Sequence, residues 1–88
     1  MKINKDTIND ACFELSELLR KKNSDYGNSF EDSYNEYGLT MIIIRLEDKL
    51  NRLKYLSKNE ASVVDEAVDD TLRDIAGYGL LGYISTKK

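Results

Sequence analysis

Apolar residues recur at helical spacing along the first quarter of the chain, from about Asn4 to Lys22. The recurring positions share one face of a helix and are Ile8, Ala11, Cys12, Leu15, Leu18 and Leu19. Thr7 and Asp10 have the spacing of a capping box at the start of this segment, and Asn23 can take a left-handed position after it. The pattern therefore predicts an amphipathic first helix with an inward apolar stripe.

A short second helix and a longer third one are predicted next. Asn28 and Glu31 repeat the capping-box spacing, which favours a helix from Ser29 to Tyr37 that stops at Gly38. We expect Thr40 to cap the third helix, which reaches about Ser57 and carries a core stripe of Ile42, Ile43, Leu46, Leu50 and Leu53.

The fourth helix is predicted from about Val63 to Ile84, with Ser62 and Asp65 at its start. Its inward positions are Val64, Val68, Leu72, Ile75 and Ala76. Proline is absent and β-branched residues do not alternate with polar ones, so strands are not indicated. The sequence predicts an all-α fold, a compact bundle of three long helices and one short helix in a single domain spanning residues 1–88.

Composition narrows the function classes. With 88 residues and 41% apolar residues, one such domain is marginal as a monomer, so we expect a homo-oligomer. A net charge of −3 argues against DNA binding, and no apolar run is long enough to span a membrane. The lone Cys12 on the apolar stripe suits a buried thiol in a reducing compartment, which indicates a cytoplasmic protein. Without histidine, the usual base of a serine or cysteine nucleophile is missing.

Charged residues are spaced to share faces of the third and fourth helices. The cations are Arg45, Lys49 and Arg52, and the acidic stripe with a phenol at its end is Glu66, Asp70, Asp74 and Tyr78. If the third and fourth helices pack antiparallel, the cations of one would lie against the acidic stripe of the other. They would then form either interhelical ion pairs or, with Asp48, a carboxylate site for Mg²⁺ beside cations that neutralise phosphate.

Two further stretches invite a ligand interpretation. GYGLLG, from Gly77 to Gly82, matches G-x-G-x-x-G, but it lies within a helical segment and follows no strand, so helix packing or a subunit contact is favoured over dinucleotide binding.

KKNSDYGNSF, from Lys21 to Phe30, is either a capped connection between helices or one wall of a nucleotide pocket. In the second case Lys22 and the start of the second helix hold phosphate while Tyr26 stacks on the ligand.

The motifs D-Y-G-x-S-F, R-x-x-D-K-x-x-R-L and D-E-x-x-x-D-T-L-x-D-x-A-x-Y together resemble a small helical family of phages and bacteria, nucleotide modification associated domain 1. The resemblance covers about Lys21 to Leu81 and implies a nucleotide-like ligand more strongly than a particular reaction. By it, the first motif falls on Asp25, Tyr26, Gly27, Ser29 and Phe30, the second on Arg45, Asp48, Lys49 and Arg52, and the third on Glu66, Asp70, Asp74 and Tyr78. We expect the ligand to be bound by residues of these motifs together with Lys22, namely Lys22, Asp25, Tyr26, Ser29, Phe30, Arg45, Lys49, Arg52 and Tyr78.

The chain is also distantly similar to the MazG-like all-α pyrophosphohydrolases, which hold Mg²⁺ with paired acidic motifs. Their pattern is incomplete here, because Leu50 and Asn51 stand where a second carboxylate is wanted. We therefore expect a protein that binds or sequesters a nucleotide without a cofactor, as phage sponges of cyclic nucleotide immune signals do. The alternative is a Mg²⁺-dependent pyrophosphohydrolase whose metal ligands are Asp48, Glu66, Asp70 and Asp74.

Overall fold

The computed structural model describes residues 2–26, 28–58 and 64–87, with the side chains of 24–26 and 64–66 excepted. Within these ranges the chain forms helices and no strand. They are α1 (Lys5–Tyr26), α2 (Ser29–Tyr37), α3 (Leu39–Ser57) and α4 (Val64–Thr86). The predicted all-α class, with three long helices and one short one, is confirmed. No helix in the described part of the chain is long and apolar enough to cross a membrane.

Asn4 caps the first helix, so the predicted pairing of Thr7 with Asp10 is wrong. The Thr7 amide donates to Asn4 Oδ1 at 3.0 Å, and the Asn4 amide donates to Thr7 Oγ1 at 2.9 Å. Asn4 is therefore the capping residue, and Thr7 is the residue three positions later that completes the capping box. This exchange satisfies amide groups that the first helical turn leaves without partners.

The connection between α1 and α2 is shorter than expected, because α1 continues to Tyr26. The left-handed residue is Asn28, with φ 63°, and not Asn23. The Asn28 side chain makes no capping bond and instead accepts a hydrogen bond from Asn23 Nδ2, so the predicted capping box with Glu31 is wrong. The bounds of α2 are as predicted, and Gly38 ends it with φ 67°, a conformation that favours glycine.

The third helix also begins without the predicted side-chain cap, since Gly38 and not Thr40 precedes it. Thr40 is the second residue of α3, so it lies inside the helix and not at the capping position before it. The end of α3 at Ser57 is as predicted. The predicted cap of α4 at Ser62 and Asp65 falls outside the described side chains.

Helices α3 and α4 pack against each other in antiparallel fashion and form most of the core. Ile42 contacts the backbone at Gly82, and Met41, Leu56 and Thr71 are buried with it. The apolar stripes predicted for α3 and α4 face the core only in part. Several of their members are exposed by about half, namely Ile43, Leu50 and Leu72. One α3/α4 contact cannot cover the whole circumference of both helices, and α2 is too short to cover the rest.

The first helix joins this core only through its second half. Leu19 lies against Gly77 of α4, where an added Cβ would be 3.0 Å from Leu19 Cδ2, and Leu15 and Leu18 are half-buried. Toward the N-terminus, Ile8 is 51% exposed, and Cys12 is exposed. The expectations of a buried Cys12 and of a fully inward α1 stripe are therefore wrong for the single chain.

Candidate functional site

Residues from all four helices line a partly open cavity of about 300 Å³, which we call the interhelical cavity. Leucine side chains supply apolar surface, and four charged residues and two aromatic rings lie among them. Its lining residues are Leu18, Leu19, Lys22, Asn23, Ser29, Phe30, Arg45, Arg73, Asp74, Gly77, Tyr78 and Leu81. Five of the residues predicted for ligand binding thus meet in one place, namely Lys22, Ser29, Phe30, Arg45 and Tyr78.

Two aromatic rings from different helices lie nearly parallel in this cavity. The centroids of Phe30 and Tyr78 are 6.2 Å apart, with 18° between the ring planes. The guanidinium of Arg45 lies 5.8 Å from the Phe30 centroid and 5.6 Å from the Tyr78 centroid. Its Nε also donates to Met41 Sδ at 3.0 Å. Arg45 is therefore fixed by rings and a sulfur, and it has no carboxylate partner in the described contacts that would neutralise its charge.

Asp74 links three helices through two lysines. Its Oδ2 lies 2.9 Å from Lys49 Nζ on α3, and its Oδ1 lies 3.5 Å from Lys22 Nζ on α1. The expectation that antiparallel α3 and α4 bring opposite charges together is confirmed by the Lys49 pair. Since Asp74 and Lys49 are about one quarter exposed, this pair is only partly screened by water.

The cavity is positive overall, because three cations line it against one carboxylate. The third cation is Arg73, which the sequence reasoning missed and whose Nη1 lies 3.5 Å from Asp70 Oδ1. A signal was available, since Arg73 is the single basic residue in the sequence of α4 and lies between two acidic ones of the predicted stripe. A positive and partly apolar cavity is suited to an anion that carries a flat apolar group.

Other predicted site residues lie elsewhere. Arg52 and Asp48 are exposed on α3 and do not line the cavity, and Asp70 is 62% exposed beside Arg73. The side chains of Asp25, Tyr26 and Glu66 are outside the described residues. Among the side chains that are described, no group of three or more acidic, histidine or cysteine residues is placed to hold one metal ion.

The family model for nucleotide modification associated domain 1 matches residues 22–86, which is most of the chain. The chain belongs to this family. Every polar residue that lines the interhelical cavity falls within the matched segment, whereas the first four turns of α1 precede it. The family's description associates it with nucleotides, which agrees with the coarse expectation of a nucleotide-related role.

A second similarity is confined to part of a much longer protein. The chain is 35% identical over 68 residues to the NEDD8-activating enzyme E1 regulatory subunit of Saccharomyces cerevisiae. This match includes 76% of the chain but only 13% of the yeast protein's length. No solved structure matches the chain. The likeness to MazG-like enzymes stays a prediction from the sequence.

Proposed function

We propose that this protein binds a phosphate-containing nucleotide in the interhelical cavity and holds it without cleaving it. The observation that carries the proposal is the position of Arg45, a cation without a described carboxylate partner against two aromatic rings inside a positive cavity. A nucleotide combines the two groups that such a cavity can bind, a flat base and an anionic phosphate. Membership in a nucleotide-associated family supports the same ligand class.

The phosphate would lie near Lys22 and Arg73. Both side chains are about half exposed, so each can turn toward a ligand, and both line the cavity. Ser29, the first residue of α2, also lines the cavity, so amides at the positive end of that helix dipole lie close by. Charge-assisted hydrogen bonds from such groups are roughly twice as strong as neutral ones.

The base would stack beside Phe30 and Tyr78. Stacking of a base on an aromatic side chain contributes about 1 to 3 kcal/mol and tolerates different bases. A cavity of about 300 Å³ is at the lower end of the range of ligand pockets, about 300 to 1,000 Å³. The site in a single chain therefore suits one nucleotide unit, either alone or as part of a larger cyclic nucleotide.

Binding without hydrolysis is favoured by the positions of the carboxylates. A metal-dependent pyrophosphohydrolase holds Mg²⁺ through one or two carboxylates together with the substrate phosphates. Here Asp74 is held by Lys22 and Lys49, and Asp70 lies beside Arg73. Sequestration of a cyclic nucleotide signal of bacterial immunity is the specific role that we propose for such a binder.

The test is recovery of the ligand after binding. The purified protein is incubated with nucleoside triphosphates, cyclic dinucleotides and cyclic ADP-ribose isomers, with and without Mg²⁺, then washed, heat-denatured and its supernatant analysed by mass spectrometry. We expect one class of nucleotide to be released intact in both conditions. Mg²⁺-dependent formation of a monophosphate and pyrophosphate, measured in the incubation mixture before washing, would instead establish the hydrolase. Release of no nucleotide, with no such products in the mixture, would overturn both functions.

A further inference from the structure

A second, partly open cavity lies beside the interhelical cavity. It has a volume of about 490 Å³ and is lined from α1, from the start of α2 and from the C-terminal part of α4, and we call it the α1/α4 groove. The two cavities share four lining residues, namely Leu19, Asn23, Phe30 and Leu81. They are therefore contiguous, and a ligand that extends past these residues lies in both.

The two cavities differ in charge. In the described part of the chain, three cations and one carboxylate line the interhelical cavity, whereas one cation and one carboxylate, Arg20 and Glu31, line the groove. Arg20 is also paired with Glu17, whose Oε1 lies 3.0 Å from its Nη1. An anionic phosphate is thus drawn to the interhelical cavity, and the groove suits an uncharged group.

The walls of the groove combine apolar surface with hydrogen-bonding groups. Leu80 is 40% exposed and Ile84 53% exposed, and both line the groove together with Phe30. Asn23 and Asn28 line it as well. The hydrogen bond from Asn23 Nδ2 to Asn28 Oδ1 leaves Asn23 Oδ1 and Asn28 Nδ2 without a partner in the described contacts. A nucleoside matches such a surface, because its base has flat apolar faces and a polar edge.

Each cavity has room for one unit of a ligand. The groove, at about 490 Å³, lies within the usual range of ligand pockets, about 300 to 1,000 Å³. We propose that the groove is a second subsite, which binds a nucleoside joined through phosphate to the nucleotide in the interhelical cavity. The ligand is then a dinucleotide, linear or cyclic, and not a mononucleotide. This inference rests on the proposed function and names the class of nucleotide.

The first experiment measures affinity by titration calorimetry. The probes are the monophosphates of adenosine, guanosine, cytidine and uridine, each compared with its linear and its cyclic dinucleotide. A tethered second base meets the groove at a high effective concentration and adds its own contacts, so we expect one dinucleotide to bind at least about tenfold more tightly than its monophosphate. The linear and cyclic probes show which linkage the protein binds.

Two results of this titration would contradict the second subsite. Equal affinities of a monophosphate and its dinucleotides would overturn it and leave the proposed function intact. Binding of none of these probes would overturn it as well, and the release experiment would then decide the proposed function by itself.

A tryptophan reporter tests where the second nucleoside lies. The chain contains no tryptophan, so Leu80→Trp places a single indole in the wall of the groove. The matched control is Leu72→Trp, at a leucine of α4 that is 48% exposed and lines neither cavity. Melting curves check that both variants fold.

We expect a saturating dinucleotide to quench the larger part of the Leu80→Trp fluorescence, because a base then stacks beside the indole. The monophosphate should leave this fluorescence unchanged, and Leu72→Trp should respond to neither ligand. Loss of the dinucleotide's extra affinity in Leu80→Trp alone would also support the subsite, since the indole then fills the groove. If Leu80→Trp shows neither effect, the second nucleoside does not lie in the groove and the proposal fails.

Discussion

Arg45 lies against the ring of Tyr78, with its guanidinium carbon 5.6 Å from the ring centroid. Arg45 is on α3 and Tyr78 on α4, so the contact joins the two helices that form the core, and Phe30 brings α2 to the same point. A buried arginine is normally paired with a carboxylate. This one is only half-buried and retains its charge for a ligand, which is why it is central to the predictions.

Arg45→Ala should weaken binding of the nucleotide class recovered in the release experiment. Loss of a hydrogen bond to a charged group costs roughly 1.5 to 3 kcal/mol, or about 10- to 150-fold in affinity. Arg52→Ala is the matched control, because it removes the same charge from the same helix outside the cavity. Titration calorimetry measures both, and equal affinities for the two variants would remove Arg45 from the site.

Phe30→Leu should reduce affinity, while Tyr78→Phe should not, if the rings act by stacking. Leucine keeps apolar volume but has no flat face, and a stacked base is worth about 1 to 3 kcal/mol. Phenylalanine keeps the ring of Tyr78 and removes only its hydroxyl. A large loss in Tyr78→Phe would instead assign the phenol a hydrogen bond to the ligand. Melting curves separate either effect from unfolding.

Asp74→Asn should act mainly on stability. It removes the charge that joins Lys22 and Lys49, and we expect the free energy of unfolding to fall by about 1 kcal/mol, because these side chains are only partly exposed. Asp70→Asn, at an exposed pair, should cost less than about 0.5 kcal/mol. Urea denaturation measures both.

The same Asp74→Asn variant also separates binding from hydrolysis. Under the binding proposal, nucleotide affinity in Asp74→Asn is kept or rises and does not depend on Mg²⁺, because the substitution removes the one carboxylate that lines the described cavity and frees Lys22. Under the hydrolase alternative, the wild-type protein shows Mg²⁺-dependent turnover and Asp74→Asn abolishes it, since a metal ligand is lost. Turnover in the wild type that this substitution removes would contradict the binding proposal.

The helix bounds were the part of the fold that local sequence signals could predict. Gly38 stops α2 because glycine takes the positive φ that ends a helix at low cost, and the bounds of α2 and the end of α3 were correct. The end of α1 was not, because Asn23, a residue that often stops helices, forms a side-chain bond to Asn28 and remains helical. That hydrogen bond joins α1 to the residue before α2, so it depends on how the two helices are arranged in space. The periodicity of apolar residues does not indicate that arrangement.

Burial was harder to predict than helix position. Spacing places Ile8, Ile43 and Leu72 on apolar faces, yet the single chain leaves each about half exposed. Periodicity indicates that a face will be covered but not which surface covers it. The candidate site shows the same limit, because spacing found Arg45 and Tyr78 but could not show that Arg73 lines the cavity with them.

The glycines of GYGLLG should differ in a way that only packing explains. All three lie inside α4, but an added Cβ at Gly79 meets nothing within 4 Å, whereas at Gly82 it would be 3.1 Å from Ile42 Cδ1 and 3.4 Å from Ile42 Cγ2. Gly79→Ala should therefore stabilise the protein by about 0.5 to 1 kcal/mol, because alanine favours the helix and restricts the unfolded chain. Gly82→Ala gains the same amount but forces the buried Ile42 to shift, and overpacking of this kind costs about 1 to 3 kcal/mol, so we expect net destabilisation. Urea denaturation at one fixed protein concentration compares the two, and stabilisation by Gly82→Ala equal to that by Gly79→Ala would show that α3 and α4 do not pack closely at Ile42.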